Sequence, residues 1–167
     1  MIDPTTMRDT LRFWASGVAI VTTKHGENRA GMTVSAFNSL SLEPPLILVC
    51  LHKDAVTAEL IEQSKHFAVS ILGNDHAYLS DRFAGRIPLS EEEDRFDDVP
   101  LISAVTGSPI LSEALAWLDC RVHQVHDGST HWILTGLAVA AGRGDSEAPL
   151  IYYDRNYRAL MLQTEHS

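Results

Sequence analysis

The run Gly31-Met32-Thr33-Val34-Ser35-Ala36-Phe37-Asn38-Ser39-Leu40-Ser41 concentrates hydroxyl-bearing and small residues. In an extended chain alternate side chains share a face, so Thr33, Ser35, Ser39 and Ser41 would line one side of a strand with Phe37 among them. A water-facing sheet surface accounts for such a run as well as a lining does, because serine and threonine are ordinary exposed residues. As a lining it suits a planar heterocycle with a polyhydroxyl tail and a phosphate, a ligand that needs many small donors and close backbone approach at Gly31 and Ala36. A second candidate is Leu51-His52-Lys53-Asp54-Ala55-Val56-Thr57, where a strand ends and a helix begins. The unpaired N–H groups and positive dipole end of a helix start can hold an anion, here with Lys53 and the Thr57 hydroxyl, although capping by Asp54 alone would explain that residue. In Arg82-Phe83-Ala84-Gly85 a small-residue stop lets backbone approach a ligand, and it serves equally as a plain helix C-terminus.

Other chemistry is poorly represented. His123 and His126 would point to opposite faces of one strand, whereas His126 and His131 could pair across a hairpin; one pair without a carboxylate or thiolate in register is a poor metal site, so no metal is expected. Cys50 and Cys120 each sit in an apolar run with no CxxC spacing and read as buried free thiols. There is no GxGxxG after a strand, no Walker-type lysine loop, no GxSxG elbow and no HExxH. The acidic stretch from Leu89 to Asp98 reads as a solvated surface segment with a local capping box from Ser90 to Glu93.

These candidates depend on the elements that carry them. Asp3-Pro4-Thr5-Thr6 opens a capped helix that ends at Ser16-Gly17. Strands are expected at Gly17–Thr23, from about Arg29, at Leu46–Leu51, at Phe67–Leu72 and at Leu150–Tyr153. Two long strands, Leu115–His126 and His131–Gly142, are joined by the turn Asp127-Gly128-Ser129-Thr130. Leu46–Leu51 is apolar on both faces and so reads as central. Helices are expected from Asp54 to about Ser64 and from Asp75 to Phe83, and Asp145–Pro149 reads as a turn. About seven strands and three short helices with hairpin-length connections predict a mainly β protein, an antiparallel barrel with peripheral helices rather than a Rossmann layout.

A chain of 167 residues predicts one domain, spanning 1–167, with enough length for a real core. Its 45% apolar and 21% charged fractions are those of a globular protein. The net charge of −9 repels polyphosphate backbones, which argues against a nucleic-acid partner. The longest apolar run, Leu46–Leu51, is far short of the roughly 20 residues that a membrane helix needs. MIDPTTMRDT has no cationic start followed by an apolar stretch, so a cytoplasmic location is expected.

GVAIVTT, GMTVSAFNSLSLEPPLILVCL, FAG, GSTHWILTG and PLIYYDRNY, in this order and at these separations, resemble the short-chain flavin reductase family, the reductase components of two-component flavin-dependent monooxygenases, over about Leu11 to Leu162. GMTVSAF followed by SLEPPL is the most specific part. The resemblance implies a split β-barrel homodimer that binds FMN or FAD, reduces it with NADH or NADPH and releases reduced flavin to a partner oxygenase. It carries Thr33, Val34, Ser35 and Ala36 to the isoalloxazine and its pyrimidine edge, and Ser39, Leu40 and Ser41 to the flavin edge and ribityl chain. Leu51, His52, Lys53 and Thr57 fall on the phosphate side, and Phe83, Ala84 and Gly85 along the flavin. His131 matches the family histidine associated with the nicotinamide, and Tyr153 or Tyr157 would close the pocket. Asp154-Arg155 departs from many relatives, which place a basic residue and then glycine, and this bears on cofactor preference.

Such a reading explains an enzyme without a catalytic motif. Hydride passes from nicotinamide C4 to flavin N5, so the protein need only stack two rings and exclude water, with His131 positioning the nicotinamide rather than donating a proton. A non-enzymatic flavin-binding or electron-transfer module on the same barrel would bind flavin without turning over nicotinamide. A flavin-dependent oxygenase with its own organic substrate would need a second pocket that the sequence does not reveal.

Overall fold

The computed structural model describes residues 1–90, 92–144 and 148–160. Asp3 accepts hydrogen bonds from the N–H groups of Thr5 and Thr6 at 2.9 and 3.0 Å and so caps α1 (Pro4–Leu11). The helix stops short of Ser16-Gly17, because those two residues form β1 (Ser16–Gly17), paired with Tyr152 and Ile151. β2 (Ala19–His25) and β3 (Asn28–Val34) turn on Gly26, whose φ of +60° suits glycine. The chain breaks at Ser35-Ala36 before β4 (Phe37–Leu42) and β5 (Pro45–His52). The hydroxyl-rich run is therefore two strands rather than one, and a register shift between Ser39 and Ser41 interrupts the second.

Next come α2 (Val56–Ser64), β6 (His66–Ile71), α3 (Ala77–Phe83), β7 (Leu101–Ile102) and β8 (Ile110–Leu111). The N-cap of α2 is Ala55, without a side-chain hydrogen bond, so Asp54 does not cap it. β9 (Ala116–Gly128) and β10 (His131–Arg143) make the long hairpin on Ser129-Thr130, with Ser129 at φ 69°. β11 (Ile151–Tyr153) and β12 (Asn156–Arg158) end the described fold, and the expected turn at Asp145–Pro149 lies partly outside the described residues.

Seven strands pair antiparallel in the order β3-β2-β6-β9-β10-β5-β4. The two outer strands, β3 and β4, are consecutive in the chain and only Ser35-Ala36 separates them, while the Cys50 N–H donates to the Ala36 carbonyl at 3.0 Å. The sheet must roll until its edges meet at that corner, which gives the split barrel. β2 is buried on both faces by period-two alternation. Its Ala19 and Val21 join Val49, Leu51, Ile61, Phe67, Val69 and Leu134 in one core. Ile20 joins Leu72, Phe83, Phe96, Leu111 and Leu150 in the other. β5 is hydrogen-bonded on both sides but stands next to an edge strand, and only its Ile47, Val49 and Leu51 face is buried. Leu46, Leu48 and Cys50 stay half-exposed.

Candidate active site

A cleft of about 540 Å³ opens where β3, the start of α2 and the end of α3 meet. From the sequence-selected residues it gathers Thr33, Thr57, Phe83 and Ala84. The Thr33 hydroxyl donates to the Ser80 carbonyl at 2.7 Å, which ties β3 to α3 and leaves its oxygen lone pairs free. Gly31 belongs here for packing: a Cβ would lie 2.8 Å from Phe83 Cε1 and 3.0 Å from Phe96 Cζ. Those two rings meet edge to face at 5.0 Å and form the floor.

The acidic segment is not merely solvated surface, because it walls the cleft. Ser90 N–H does donate to Glu93 Oε2 at 2.8 Å, and this bond holds the Glu93 carboxyl below its usual range. Beyond it, however, Phe96 is buried, and Arg95 donates to the carbonyls of Phe83 and Gly31 at 3.1 and 3.4 Å. Arg82 reaches the Asp94 carbonyl at 2.7 Å. Arg29 pairs with the Asp94 carboxylate at 2.7 Å and lies 4.8 Å over the Phe96 ring. Arg29 and Arg95 are lining residues that the sequence reading missed: Arg29 lies near the start of β3 and Arg95 inside the acidic stretch, and no local pattern marks either.

Sharing Thr33 and Ala84 with the cleft is a hollow of about 130 Å³ lined also by Val34, Ser35, Arg86 and Tyr157. The Tyr157 phenol is 2.6 Å from Asp81 Oδ1 and 2.9 Å from Ser80 Oγ. Burial first, then the Asp81 carboxylate, raises its pKa. Arg86 donates to the same Asp81 oxygen at 2.9 Å and to the phenol oxygen at 3.2 Å. A further hollow of about 580 Å³ takes in Ser35 and Ala36 with Arg12, Trp14 and Arg155.

The remaining candidates are not brought together. Gly85, at φ +71°, lies beside Arg95 at the rim, where a Cβ would be 3.2 Å from the guanidinium. Leu51 points into the core and cannot touch a ligand with its side chain. Lys53 is turned to the hairpin: its ammonium bonds Asp127 at 2.7 Å, sits 4.3 Å over the Trp132 ring and holds the Asp127 carboxyl below its usual range. Ser39, Leu40 and Ser41 lie on edge strand β4. Tyr153 packs on Phe13, with ring centres 6.4 Å apart. His131 does not face His126, whose cross-strand partner is Ile133. It lies across from His52, ring centres 5.1 Å apart, and its Nδ1 is 2.9 Å from the Thr130 hydroxyl.

A family described as the flavin reductase like domain matches residues 11–161. FMN reductase (NADH) RutF of Yersinia enterocolitica is 37% identical over 163 residues, which cover 98% of this chain and 88% of that protein. The reductase subunit HsaB of a flavin-dependent monooxygenase from Rhodococcus jostii is 35% identical over 159 residues, 95% of this chain and 79% of that protein. The solved structure of Streptomyces globisporus NADH:FAD oxidoreductase SgcE6 in complex with NAD and FAD fragments matches with a TM-score of 0.87 at 29% identity, covering 99% of each chain. No described helix is long and apolar enough to cross a membrane.

Proposed function

The chain belongs to the flavin reductase-like family, and on that premise we propose that the cleft between β3, α2 and α3 seats the flavin that it reduces. It is an NAD(P)H-dependent flavin reductase that takes FMN or FAD and a reduced nicotinamide nucleotide, and its kinship with monooxygenase reductase subunits supports delivery of reduced flavin to a separate oxygenase. The whole chain, 1–167, acts as one such unit, in the cytoplasm where reduced nicotinamide is supplied.

One observation carries the seat: Thr33, Thr57, Phe83 and Ala84 converge from three elements on one cleft that also holds Arg29 and Arg95. The volume suits a cofactor, since ligand sites run about 300–1,000 Å³. Its donors suit a phosphate. Ala55, Val56 and Thr57 line it, the Val56 and Thr57 N–H groups that open α2 have no backbone carbonyl to bond, and among the described residues the Arg95 guanidinium is held by two carbonyls rather than by a carboxylate. Bound there, the flavin supplies the hydride-accepting chemistry. The chain's own task is to orient it: Phe83 and Phe96 set the floor, the Asp94-Arg95-Phe96 wall limits water, and Val34 and Ser35 offer the far hollow to one edge of the ring.

His131 and His52, together with Ser39–Ser41, lie outside this cleft in one chain, and a second copy would bring them to it. A homodimer is favoured by the half-exposed apolar face of Leu46, Leu48, Cys50, Ile133 and Leu137, which β5 and β10 share, and by exposed Leu40 and Leu42 on β4. Gel filtration at micromolar concentration should give twice the chain mass; a monomer that is fully active would remove the second copy from the site. The function itself is tested by a steady-state matrix of FMN and FAD against NADH and NADPH under air. At least one pairing should consume nicotinamide, and none doing so would overturn the reading.

A further inference from the structure

Reduction by NADH moves two electrons and one proton, as hydride, to the flavin; NADH becomes NAD⁺, and the reduced flavin holds a negative charge at its N1–C2 carbonyl edge. From the charges around the neighbouring hollow we propose that Arg86 faces that edge and binds reduced flavin in preference to oxidised. This rests on the flavin seat proposed above. The phosphate-binding features, namely the α2 start with Arg29 and Arg95, line the cleft and not the hollow, whereas Val34, Ser35, Arg86 and Tyr157 line the hollow and not the cleft. Thr33 and Ala84 join the two, so one end of a flavin laid along β3 enters the hollow. At about 130 Å³ that space admits an edge of the tricycle and not the whole of it.

Arg86 is positioned from three sides. Asp81 binds its Nη1 at 2.9 Å, the Tyr157 oxygen accepts from it at 3.2 Å, and its guanidinium lies 5.7 Å from the Tyr152 ring centre. Asp81 does not line the hollow, so the ion pair presents its positive end there. Partial burial opposes the charge on Arg86, but Asp81 and the two tyrosines outweigh it and its pKa is raised. The side chain is 52% exposed, so water screens it and the effect is moderate.

The test compares Kd for FMN and for dithionite-reduced FMN, both measured anaerobically, in wild type, Arg86→Gln and Asp81→Asn. Arg86→Gln should weaken the reduced complex roughly tenfold while oxidised FMN binds within about twofold of wild type, a change of ~30 mV in the two-electron potential of bound flavin. Asp81→Asn, which leaves the guanidinium unneutralised, should shift the ratio the other way. A purely structural role would move both variants in one direction. Equal weakening of both redox states in Arg86→Gln, or a shift of the same sign in the two variants, overturns the proposal while the flavin seat stands. If wild type binds neither FMN nor FAD in either redox state, the seat fails and this inference fails with it; if it binds FAD alone, the same comparison is made with FAD.

Discussion

Gly31→Ala tests the floor of the cleft directly. The new methyl would sit 2.8 Å from Phe83 Cε1, 3.0 Å from Phe83 Cδ1 and 3.0 Å from Phe96 Cζ. Both rings are buried, Phe83 completely, and they brace each other edge to face, so neither can swing into free space. Inserting a methylene into such packing costs about 1–3 kcal/mol. Alanine recovers about 0.5–1 kcal/mol that glycine loses in a strand, since no positive φ is required at this position. The two ranges leave a net loss of ~0–2.5 kcal/mol, and its middle, about 1 kcal/mol, corresponds to a fall in Tm of roughly 2–4 °C for a chain of this size. Arg95 bonds the carbonyls of Gly31 and Phe83, so displacement of the Phe83 ring also shifts the cation in the cleft, and the KM for flavin should rise with the fall in Tm. Gly17→Ala is the control: a Cβ there meets nothing within 4 Å, and it should leave both measurements nearly unchanged. Thermal unfolding followed by circular dichroism, with flavin titration on the same preparations, reads both effects. A Gly31→Ala protein as stable as wild type with unaltered flavin KM would refute the packing on which the cleft is built.

Thr57→Val keeps the shape of the α2 start but deletes its hydroxyl; a hydrogen bond to a charged group contributes about 1.5–3 kcal/mol, so the KM for FMN should rise roughly tenfold or more with kcat little changed, and an unchanged KM would move the phosphate elsewhere. Asp119 is fully buried and accepts from the Thr106 N–H at 2.7 Å and from the Thr106 hydroxyl. Asp119→Ala leaves the Thr106 N–H without its partner, whereas the Thr106 hydroxyl still reaches Ser108 Oγ at 2.9 Å, so the cost is about 1–3 kcal/mol in all, visible as a lower urea midpoint at constant m, and no shift in midpoint would refute it. His66 has its pKa lowered from 6.5, chiefly by burial, although Asp119 pulls it upward. The unfolded chain therefore takes up this proton before the folded one does: the contribution is fully present above pH 6.5 and is lost as pH falls through the lower folded value. Tm should decline below that pH, and His66→Asn should flatten the decline; identical slopes in the two proteins would count against it.

What the sequence disclosed and what it hid divide along physical lines. β2 and the β9–β10 hairpin were legible because β-branched runs and a glycine-bearing turn are local signals. The break at Ser35-Ala36 was not, since neither glycine nor proline marks it; the corner exists because the rolled sheet must bring its first and last strands together. The four residues that meet in the cleft, Thr33, Thr57, Phe83 and Ala84, were each visible as local oddities, a hydroxyl on a strand, a helix start and a small-residue stop. The wall was invisible for the opposite reason. Asp94, Arg95 and Phe96 act through contacts with Arg29, Gly31 and Phe83, far away in the chain, and charge patterning alone reads them as solvated. His131 likewise faces His52 only because β10 pairs with β5, which no spacing between histidines encodes.

Asp154-Arg155 shows how a departure from a family pattern can be a matter of backbone geometry. β11 and β12 pair Tyr153 with Asn156, which leaves a two-residue connection whose residues lie at φ 50° and 62°. Hairpins of this kind require positive φ at both positions, a requirement that favours glycine. Here two side chains occupy the strained positions, and each is tied to the α1 region: Asp154 to the Arg12 guanidinium, which depresses the Asp154 carboxyl, and Arg155 to Asp9 at 2.8 Å. Arg12 and Arg155 thereby line the same hollow as Ser35 and Ala36. These two residues give up conformational ease and form two ion pairs that hold α1 beside the corner where the barrel splits.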